Sequence, residues 1–406
     1  MRCLWLTRKY PRPINSGELI YSDGLIRSFA EAGVELTVIA HDNSDQAVGD
    51  GTHFSEYTDE QGVNWRLGTP DLGGRLGSLL TSLPGDAYRL KNGGPEEAFR
   101  KALDDETWDA VIIDHAAIGW ALHVLREKNL HNGVRPRPRI IYISHNHEAK
   151  IRREIASKSR DPLLKKTILK WDAEKYARLE NELCAGADLV TAITDTEVDA
   201  YRENFPEQNY LCLTPGYHGD VYPDHKITEE IPRRVIMSGS FEWIAKRMNL
   251  EIFLEKAALP LALSKIELQI VGKTNPRFCA QISERFPSVN FVGTVPNMSP
   301  YLLNARMGLI VEELGGGFKL KQLDYVFHNL PIAGLECAVD GLPLQSPEEI
   351  LLERNTEDLV HGIVETIDDI DHLNQMRASA FEKCSSAFRW EDRGTRLADA
   401  IADLSK

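Results

Sequence analysis

"ELGGGFKLKQLDYVFHNLPIAG", residues 313–334, is the stretch on which the reading of this chain turns. It overlaps "MGLIVEEL" (307–314), a short apolar run of strand type, and it contains "FKLKQLDYVFHN" (318–329), which has helical spacing. Gly315, Gly316 and Gly317 therefore fall at a strand-to-helix turn. Each glycine weakens the element that holds it by roughly 0.5–1 kcal/mol, so some gain should offset three in a row. Without Cβ atoms, backbone N–H groups at such a turn can approach an anion closely. A helix start adds unpaired donors and the positive end of the dipole. At about 100° per residue, Leu320, Leu323 and Phe327 share a sheet-facing stripe, while Lys321, Asp324 and His328 lie on an adjacent arc. That set suits a nucleoside diphosphate. The turn and Lys321 would hold phosphates, and Asp324, one helical turn on, would accept hydrogen bonds from ribose hydroxyls. The stretch matches neither a P-loop nor a GxGxxG pattern. A tight turn with solvated lysines and an i,i+3 ion pair accounts for the same residues.

Outward from this stretch, short apolar runs alternate with amphipathic ones, the pattern of βαβ units. In the first half "CLWLT" (3–7), "ELTVIAH" (35–41), "WDAVIID" (108–114), "RIIYISH" (139–145) and "ADLVTAIT" (187–194) read as strands. Between the first two, "ELIYSDGLIRSFAEAG" (18–33) reads as a helix that Gly33 ends. Residues 41–106 read as loops with one or two short strands, "VNWRLG" (63–68) among them. Pro, Gly and charge then break the pattern at "LTPGYHGDVYPDHKITEEIPRR" (213–234), which reads as a linker. A second series follows: "RVIMSGS" (234–240), "IELQIVG" (266–272), "VNFVGTV" (289–295), "MGLIVEEL" and "LPIAGLE" (330–336), closed by two helical segments. The expected architecture is two doubly wound α/β domains facing across a cleft, with ligands at the carboxyl ends of the strands.

Length and composition agree with this. A chain of 406 residues exceeds a single core. Its 42% hydrophobic and 27% charged content is that of a soluble protein. A net charge of −14 argues against a general nucleic-acid binder, yet leaves room for a local anion site. Cys3, Cys184, Cys212, Cys279, Cys337 and Cys384 form no CxxC pair, so reduced, mostly buried thiols are expected. The N-terminal apolar core, Cys3 to Leu6, is too short for a signal peptide, and no apolar window is long enough to span a bilayer. A cytoplasmic protein is expected.

A glycine turn, basic residues, an acid and then "LPIAGLECAVDGL" (330–342) resemble the donor-binding segment of GT-B glycosyltransferases of the family 4 (group 1) type. The resemblance puts Lys321 on the family's lysine and Asp324 on the second acid of its paired-glutamate motif. Gly316 stands where the first glutamate is usual, and Glu312 or Glu313 is left as its substitute. It extends over nearly the whole chain. "YPRPINSGELIYSDGLIRSFAEAGVELTVIA" (10–40) is similar to the opening strand, glycine loop and helix, which puts Gly17 near donor phosphates. "WDAVIIDHAAIGW" (108–120) is similar to the segment whose histidine follows a strand, here His115. "SGSFEWIAKRMN" (238–249) takes the place of a basic pair that grips the diphosphate: Lys246 matches, Ser240 replaces an arginine, and Arg247 is a weaker substitute. "FRWEDRGTRLADAI" (388–401) is similar to the final helix that returns to the first domain.

The resemblance thus implies an acceptor-binding domain over 1–222, joined by 386–406, and a nucleotide-sugar-binding domain over 223–385. The catalytic candidates are His115, Lys246 and Lys321. Donor contacts are expected from Gly17, Ser240, Gly315, Gly316, Gly317, Phe318, Lys319 and Asp324. His145 and His147, in "SHNHE" after a strand, are candidates for orienting the acceptor, and a capping loop accounts for them equally. The implied reaction moves a sugar from a nucleotide donor, UDP-linked rather than GDP-linked, to a glycan, lipid-linked or small-molecule acceptor, with retention and without a cofactor. A metal is not expected. Asp368, Asp369 and Asp371 resemble a DxD motif, but they sit in a late helical region without a preceding strand, and no HExxH occurs. A nucleotide-sugar epimerase of the same fold, or a non-catalytic nucleotide-sugar-binding protein, fits the same residues. One further segment, 148–170, carries eight basic and three acidic residues with Ile151, Ile155, Leu163, Leu164, Ile168 and Leu169 as an apolar side. Peripheral contact with anionic lipid is one reading of it, and a solvated helix surface is the other.

Overall fold

A computed structural model of the chain describes residues 1–14, 16–42, 54–69, 75–91, 94–128, 137–158, 162–315 and 317–404. Gly316, one of the expected donor contacts, lies outside the described residues, as do residues 159–161 of the basic segment. The chain divides into two units, Met1–Gly216 with Trp390–Lys406, and Tyr217–Arg389.

The first unit is built on an eight-stranded sheet. Its strands are β1 (Arg2–Thr7), β2 (Glu35–His41), β3 (Phe54–Thr58), β4 (Asn64–Gly68), β5 (Ala110–Asp114), β6 (Arg139–Ile143), β7 (Leu189–Ala192) and β8 (Tyr210–Cys212). They lie in the order β3-β4-β2-β1-β5-β6-β7-β8, and among the described residues only the β3–β4 pair is antiparallel. Every residue of β5 is buried, as a parallel strand covered on both faces requires. The helix Gly17–Glu31 crosses from β1 to β2. Ser16 caps it through a bond from the Leu19 N–H, and Gly33, at φ +83°, turns the chain into β2. The last helix, Glu391–Asp403, packs on this one so closely that a Cβ at Gly394 would stand 1.8 Å from the Ser28 carbonyl oxygen.

The second unit holds a six-stranded, all-parallel sheet of β9 (Arg234–Ser238), β10 (Glu267–Val271), β11 (Val289–Gly293), β12 (Met307–Ile310), β13 (Ile332–Leu335) and β14 (Leu351–Glu353). Their order is β11-β10-β9-β12-β13-β14, the Rossmann order. Three helices rather than two close the chain, Thr356–Thr366, Ile370–Ala387 and Glu391–Asp403.

Both sheets reverse direction of winding at one place, between β1 and β5 in the first and between β9 and β12 in the second. Crevices for ligands form outside the strand ends at such reversals. His115 directly follows β5, and the glycine turn follows β12.

Candidate functional site

In the second unit β12 stops at Ile310, earlier than the apolar run suggests, so Glu312, Glu313 and Leu314 belong to the loop. The Glu312 carboxylate accepts from the Val311 N–H (3.1 Å), and the Leu314 N–H and C=O are both taken by the Asn249 side chain (2.8 Å each). Gly315 (φ +92°) and Gly317 (φ +77°) then carry the chain through left-handed conformations that side chains with a Cβ adopt at a cost. The Lys319 ammonium donates to the carbonyls of Gly315 (3.0 Å) and Gly317 (2.8 Å), so it braces the turn from inside. Because C=O and N–H of a trans peptide point oppositely, the Phe318 N–H is directed away from that lysine. The Phe318 ring packs on Phe388 at 5.5 Å. The helix begins only at Lys321 and runs to Phe327.

This path brings Glu312 to Lys321, with Oε1 and Nζ 2.6 Å apart and each side chain 12% exposed. Glu313, one residue on, is exposed. Lys246 lies at the start of the helix Ile244–Leu263, which also carries Asn249 one turn later. Burial and then the Lys321 ammonium push Lys246 below the ordinary lysine value, and Glu312 only partly offsets them. Burial would lower Lys321 too, but the Glu312 carboxylate outweighs it and holds Lys321 above that value. Burial raises Glu312, yet Lys321, Lys319 and Lys246 together leave it below the usual carboxylate range. Glu312 thus pairs with Lys321 and also acts electrostatically on Lys246. Arg247 is not part of it, since its guanidinium lies over the Phe278 ring at 5.7 Å. Ser240 follows Gly239 at the end of β9 and is partly buried.

Asp324 and His328 sit on the arc beside Lys321. Burial raises the Asp324 carboxyl from 3.8 to about 6, and a hydrogen bond with the Tyr217 hydroxyl pulls the other way. His328 is structural. Its Nε2 meets the Ser299 hydroxyl (2.8 Å), its Nδ1 the Asp324 carbonyl oxygen (2.7 Å), and its ring lies against Tyr222. The Asp368–Asp371 group is occupied by the fold: Asp368 pairs with Arg233 (2.9 Å) and Arg306 (3.0 Å), and Asp369 caps the following helix. Among the described residues no group of three or more His, Cys, Asp or Glu is placed to hold a metal ion.

In the first unit His115 has φ +89° and ψ +140°, a conformation that costs a non-glycine residue about 1–3 kcal/mol. Its Nδ1 accepts from the Ala117 N–H at 3.0 Å, which leaves the proton on Nε2. That nitrogen lies 3.6 Å from Glu148 Oε1. Burial lowers His115, with Glu148 and Glu18 opposing, so the ring is a neutral Nε2–H donor. Behind it His145 is buried and bonded through Nε2 to Asp114 (2.5 Å), which also accepts from Trp5 Nε1 (3.1 Å). His145 is thus bound to Asp114 in the core, and its ring centroid lies 5.5 Å from that of His115. His147 is less buried, stacked on Tyr201 at 4.8 Å and 3.3 Å from Glu180 Oε2. Gly17, exposed, is the first residue of its helix, followed by Glu18, whose carboxylate pairs with Arg8 (3.3 Å).

Sequence reading had placed Lys246, Lys321, Asp324 and His115 after strands, and had left Glu312 and Glu313 unresolved. It missed Asn249, whose two bonds to Leu314 hold the glycine turn in place. Asn249→Ala should cost about 1–3 kcal/mol of stability for the bonds lost. It should also weaken nucleotide binding, because the turn is released. A melt and a nucleotide titration on that variant check both effects, and unchanged nucleotide affinity would show that the turn does not bind it.

Several solved structures are similar to this chain over nearly its whole length. Sucrose-phosphate synthase from Thermosynechococcus elongatus is 16% identical at TM-score 0.71, with 100% of this chain and 99% of that one covered. Anabaena HepE in complex with UDP is 12% identical at TM-score 0.62, covering 99% and 100%. Trehalose-6-phosphate synthase OtsA is 13% identical at TM-score 0.64, covering 100% and 99%. At such identities the likeness defines the fold, GT-B. No curated protein sequence matches the chain. Residues 16–216 match the glycosyl transferase 4-like domain and residues 232–369 the glycosyl transferases group 1 domain. The chain belongs to this family of glycosyltransferases, and it is an enzyme of that class.

Proposed function

We propose that this glycosyltransferase transfers a sugar from a UDP-linked donor held by the Tyr217–Arg389 unit. The observation that carries the proposal is the buried Lys246–Glu312–Lys321 group beside the braced glycine turn. Two lysines near a single carboxylate favour a partner with negative charge, and a diphosphate leaving group gains charge as the glycosidic bond breaks. Ammonium groups fixed in advance at that point lower the barrier. The Phe318 N–H and the amides of the turn add donors, and Asp324 takes the ribose hydroxyls. Glu312 replaces the family's first glutamate, near enough to Lys321 to orient it. His115, a neutral donor, is proposed to meet the transferred sugar, and His147 the acceptor. Gly17 remains a proposed donor contact, by resemblance.

Retention of configuration is proposed from the family resemblance. Metal independence is proposed because two ammonium groups supply the charge that a divalent cation supplies elsewhere. UDP is preferred to GDP as the resemblance implies, and HepE has been solved with UDP and with UDP-glucose. The acceptor is proposed to be a glycan, a lipid-linked sugar or a small molecule, bound by the Met1–Gly216 unit. Cysteines that form no disulfide suit a cytoplasmic enzyme. Among the described residues no helix is long and apolar enough to cross a membrane.

Calorimetric titration of the full chain with UDP, GDP and UMP tests the donor assignment. UDP should bind at least about tenfold more tightly than UMP, because the lysines address the second phosphate. Equal affinities would overturn it. Incubation with UDP-sugars and no acceptor should give slow hydrolysis, whereas inversion at C2 would indicate an epimerase.

The Asp324 carboxyl adds a pH dependence. Its value is about 6 in the folded chain against 3.8 ordinarily, so between those values the folded state binds more protons and stability falls as pH rises. At neutral pH the buried charge therefore costs up to roughly 3 kcal/mol. Asp324→Asn should melt higher at neutral pH, with the gain fading toward pH ~4. The same variant should bind UDP more weakly above pH ~6, where the wild-type carboxylate accepts from the ribose. A variant that gains stability and keeps full UDP affinity would refute the ribose role.

A further inference from the structure

The basic segment 148–170 does not form one apolar face. Ile151 and Ile155, on the helix Glu148–Lys158, are buried in the first unit. The next helix, Leu163–Gly186, behaves differently along its length. From Ala173 onward Tyr176, Ala177, Leu179 and Leu183 face the core. In its first nine residues Leu163 is 85% exposed, Leu164 77%, Ile168 45% and Trp171 45%. At about 100° per residue these four fall within one arc of about 140°, on the side of the helix away from the core-facing residues. Lys166 and Lys170 border that arc on one side and Lys165 on the other, and no acidic residue occurs between Pro162 and Trp171.

A second element extends the same surface. The 3₁₀ turn Arg75–Leu80 ends in Leu79 and Leu80, and Leu80 is 93% exposed. The Lys175 ammonium ties this turn to the helix by donating to the Ser78 and Thr81 carbonyls (2.6 and 2.7 Å) while lying over the Trp171 ring at 4.0 Å. Two separate elements thus present leucines and a tryptophan at one place, with lysines at the rim. Outward leucines cost solubility and add nothing to the core, so something outside the chain should cover them.

We infer that this face of the first unit docks on an anionic lipid bilayer, with the start of the helix Leu163–Gly186 lying in the headgroup plane. Leucine and tryptophan inserted beneath the headgroups, with lysines at their level, is the chemistry of an interfacial helix. In a symmetric pair of copies the lysine rims would face each other and repel, whereas an anionic bilayer attracts them, so charge supports a membrane. A protein of net charge −14 is repelled by an anionic surface except through a local basic patch, so the patch also sets the orientation. The inference is independent of the donor assignment.

Flotation of the full chain with phosphatidylcholine vesicles containing about 30% phosphatidylglycerol, and with pure phosphatidylcholine vesicles, tests it. The chain should float with the anionic vesicles and be released at about 0.5 M salt, where charge attraction is screened. Leu164→Asp and Leu80→Asp, both at exposed positions, should each lower vesicle binding at least about tenfold while melting and binding UDP like the wild type. Exchanging Lys165, Lys166 and Lys170 for glutamine should remove the preference for anionic vesicles. Wild-type binding to neither vesicle, or undiminished binding by Leu164→Asp, would overturn the inference. So would a dimer in solution that Leu164→Asp dissociates, since the face would then belong to a second copy.

Discussion

Lys321→Ala is expected to lower turnover by about 10²–10³-fold, the effect of removing one fixed charge from a leaving group. It should also destabilise the second unit, contrary to what a solvated lysine would do. The Lys321 side chain is 12% exposed and pairs with an equally buried Glu312. Without the lysine, Glu312 stays as a buried charge with weaker partners, a loss of roughly 3–5 kcal/mol where burial is complete. Glu312 is ordinarily held below the carboxylate range, first against burial and then by Lys321, so its contribution is present at neutral pH and fades as pH falls through that lowered value. The stability gap between Lys321→Ala and wild type should therefore narrow on acidification, where Glu312 in the variant takes up a proton. The double variant Glu312→Gln/Lys321→Met separates the two roles. It removes both buried charges, so it should recover much of the melting temperature and none of the turnover. A double variant that also recovers turnover would mean that the pair is structural and that the leaving group is met elsewhere.

Substitutions at His115 should show the second large effect. With the proton on Nε2 and a lowered pKa, the ring is a neutral donor at physiological pH. Loss of one such donor to the transferred sugar should lower transfer by about 10²-fold. UDP affinity should stay nearly unchanged, because the proposed phosphate and ribose contacts, Gly17 apart, come from the other unit. Comparing alanine with glycine at this position isolates the backbone. Alanine keeps the strain of φ +89° and loses the bond that caps Ala117, whereas glycine adopts that φ freely. The glycine variant should be more stable than the alanine variant by about 1 kcal/mol, and both should lose transfer alike. If His115→Gly transferred normally, the histidine would serve only to shape the turn.

Much of this is readable in the sequence. Apolar runs such as "VIID" and "RVIMS" report buried parallel strands, because a strand covered on both faces needs apolar side chains at every position. The alternation of such runs with amphipathic stretches is enough for two doubly wound units. Strand ends are where these sheets bind ligands, which made Lys321 and Asp324 candidates by position, whereas Lys246 and the role of His115 came from the family resemblance. The glycine turn was legible for the same reason, because positive φ asks for glycine. What local spacing reported less well was where elements stop. β12 ends at Ile310 because the chain beyond it is bound to side chains rather than to a neighbouring strand.

Tertiary structure alone decided the choices between near-equivalent residues. Glu312 and Glu313 are adjacent and chemically alike, yet one reaches Lys321 and the other faces water. The loop path that separates them is held by Asn249, 65 positions away. His145 and His147 are alike in the sequence, yet Asp114, 31 positions distant, binds one of them in the core while the other is less buried. Ile155 and Leu164 are both apolar residues in a basic segment, but one is 7% exposed and the other 77%. The physical reason is common to all three. Periodicity records which way a regular backbone turns each side chain, whereas in loops, and on helix faces that leave the core, direction and burial are set by whichever distant group supplies the partner, and that group has no fixed spacing along the chain.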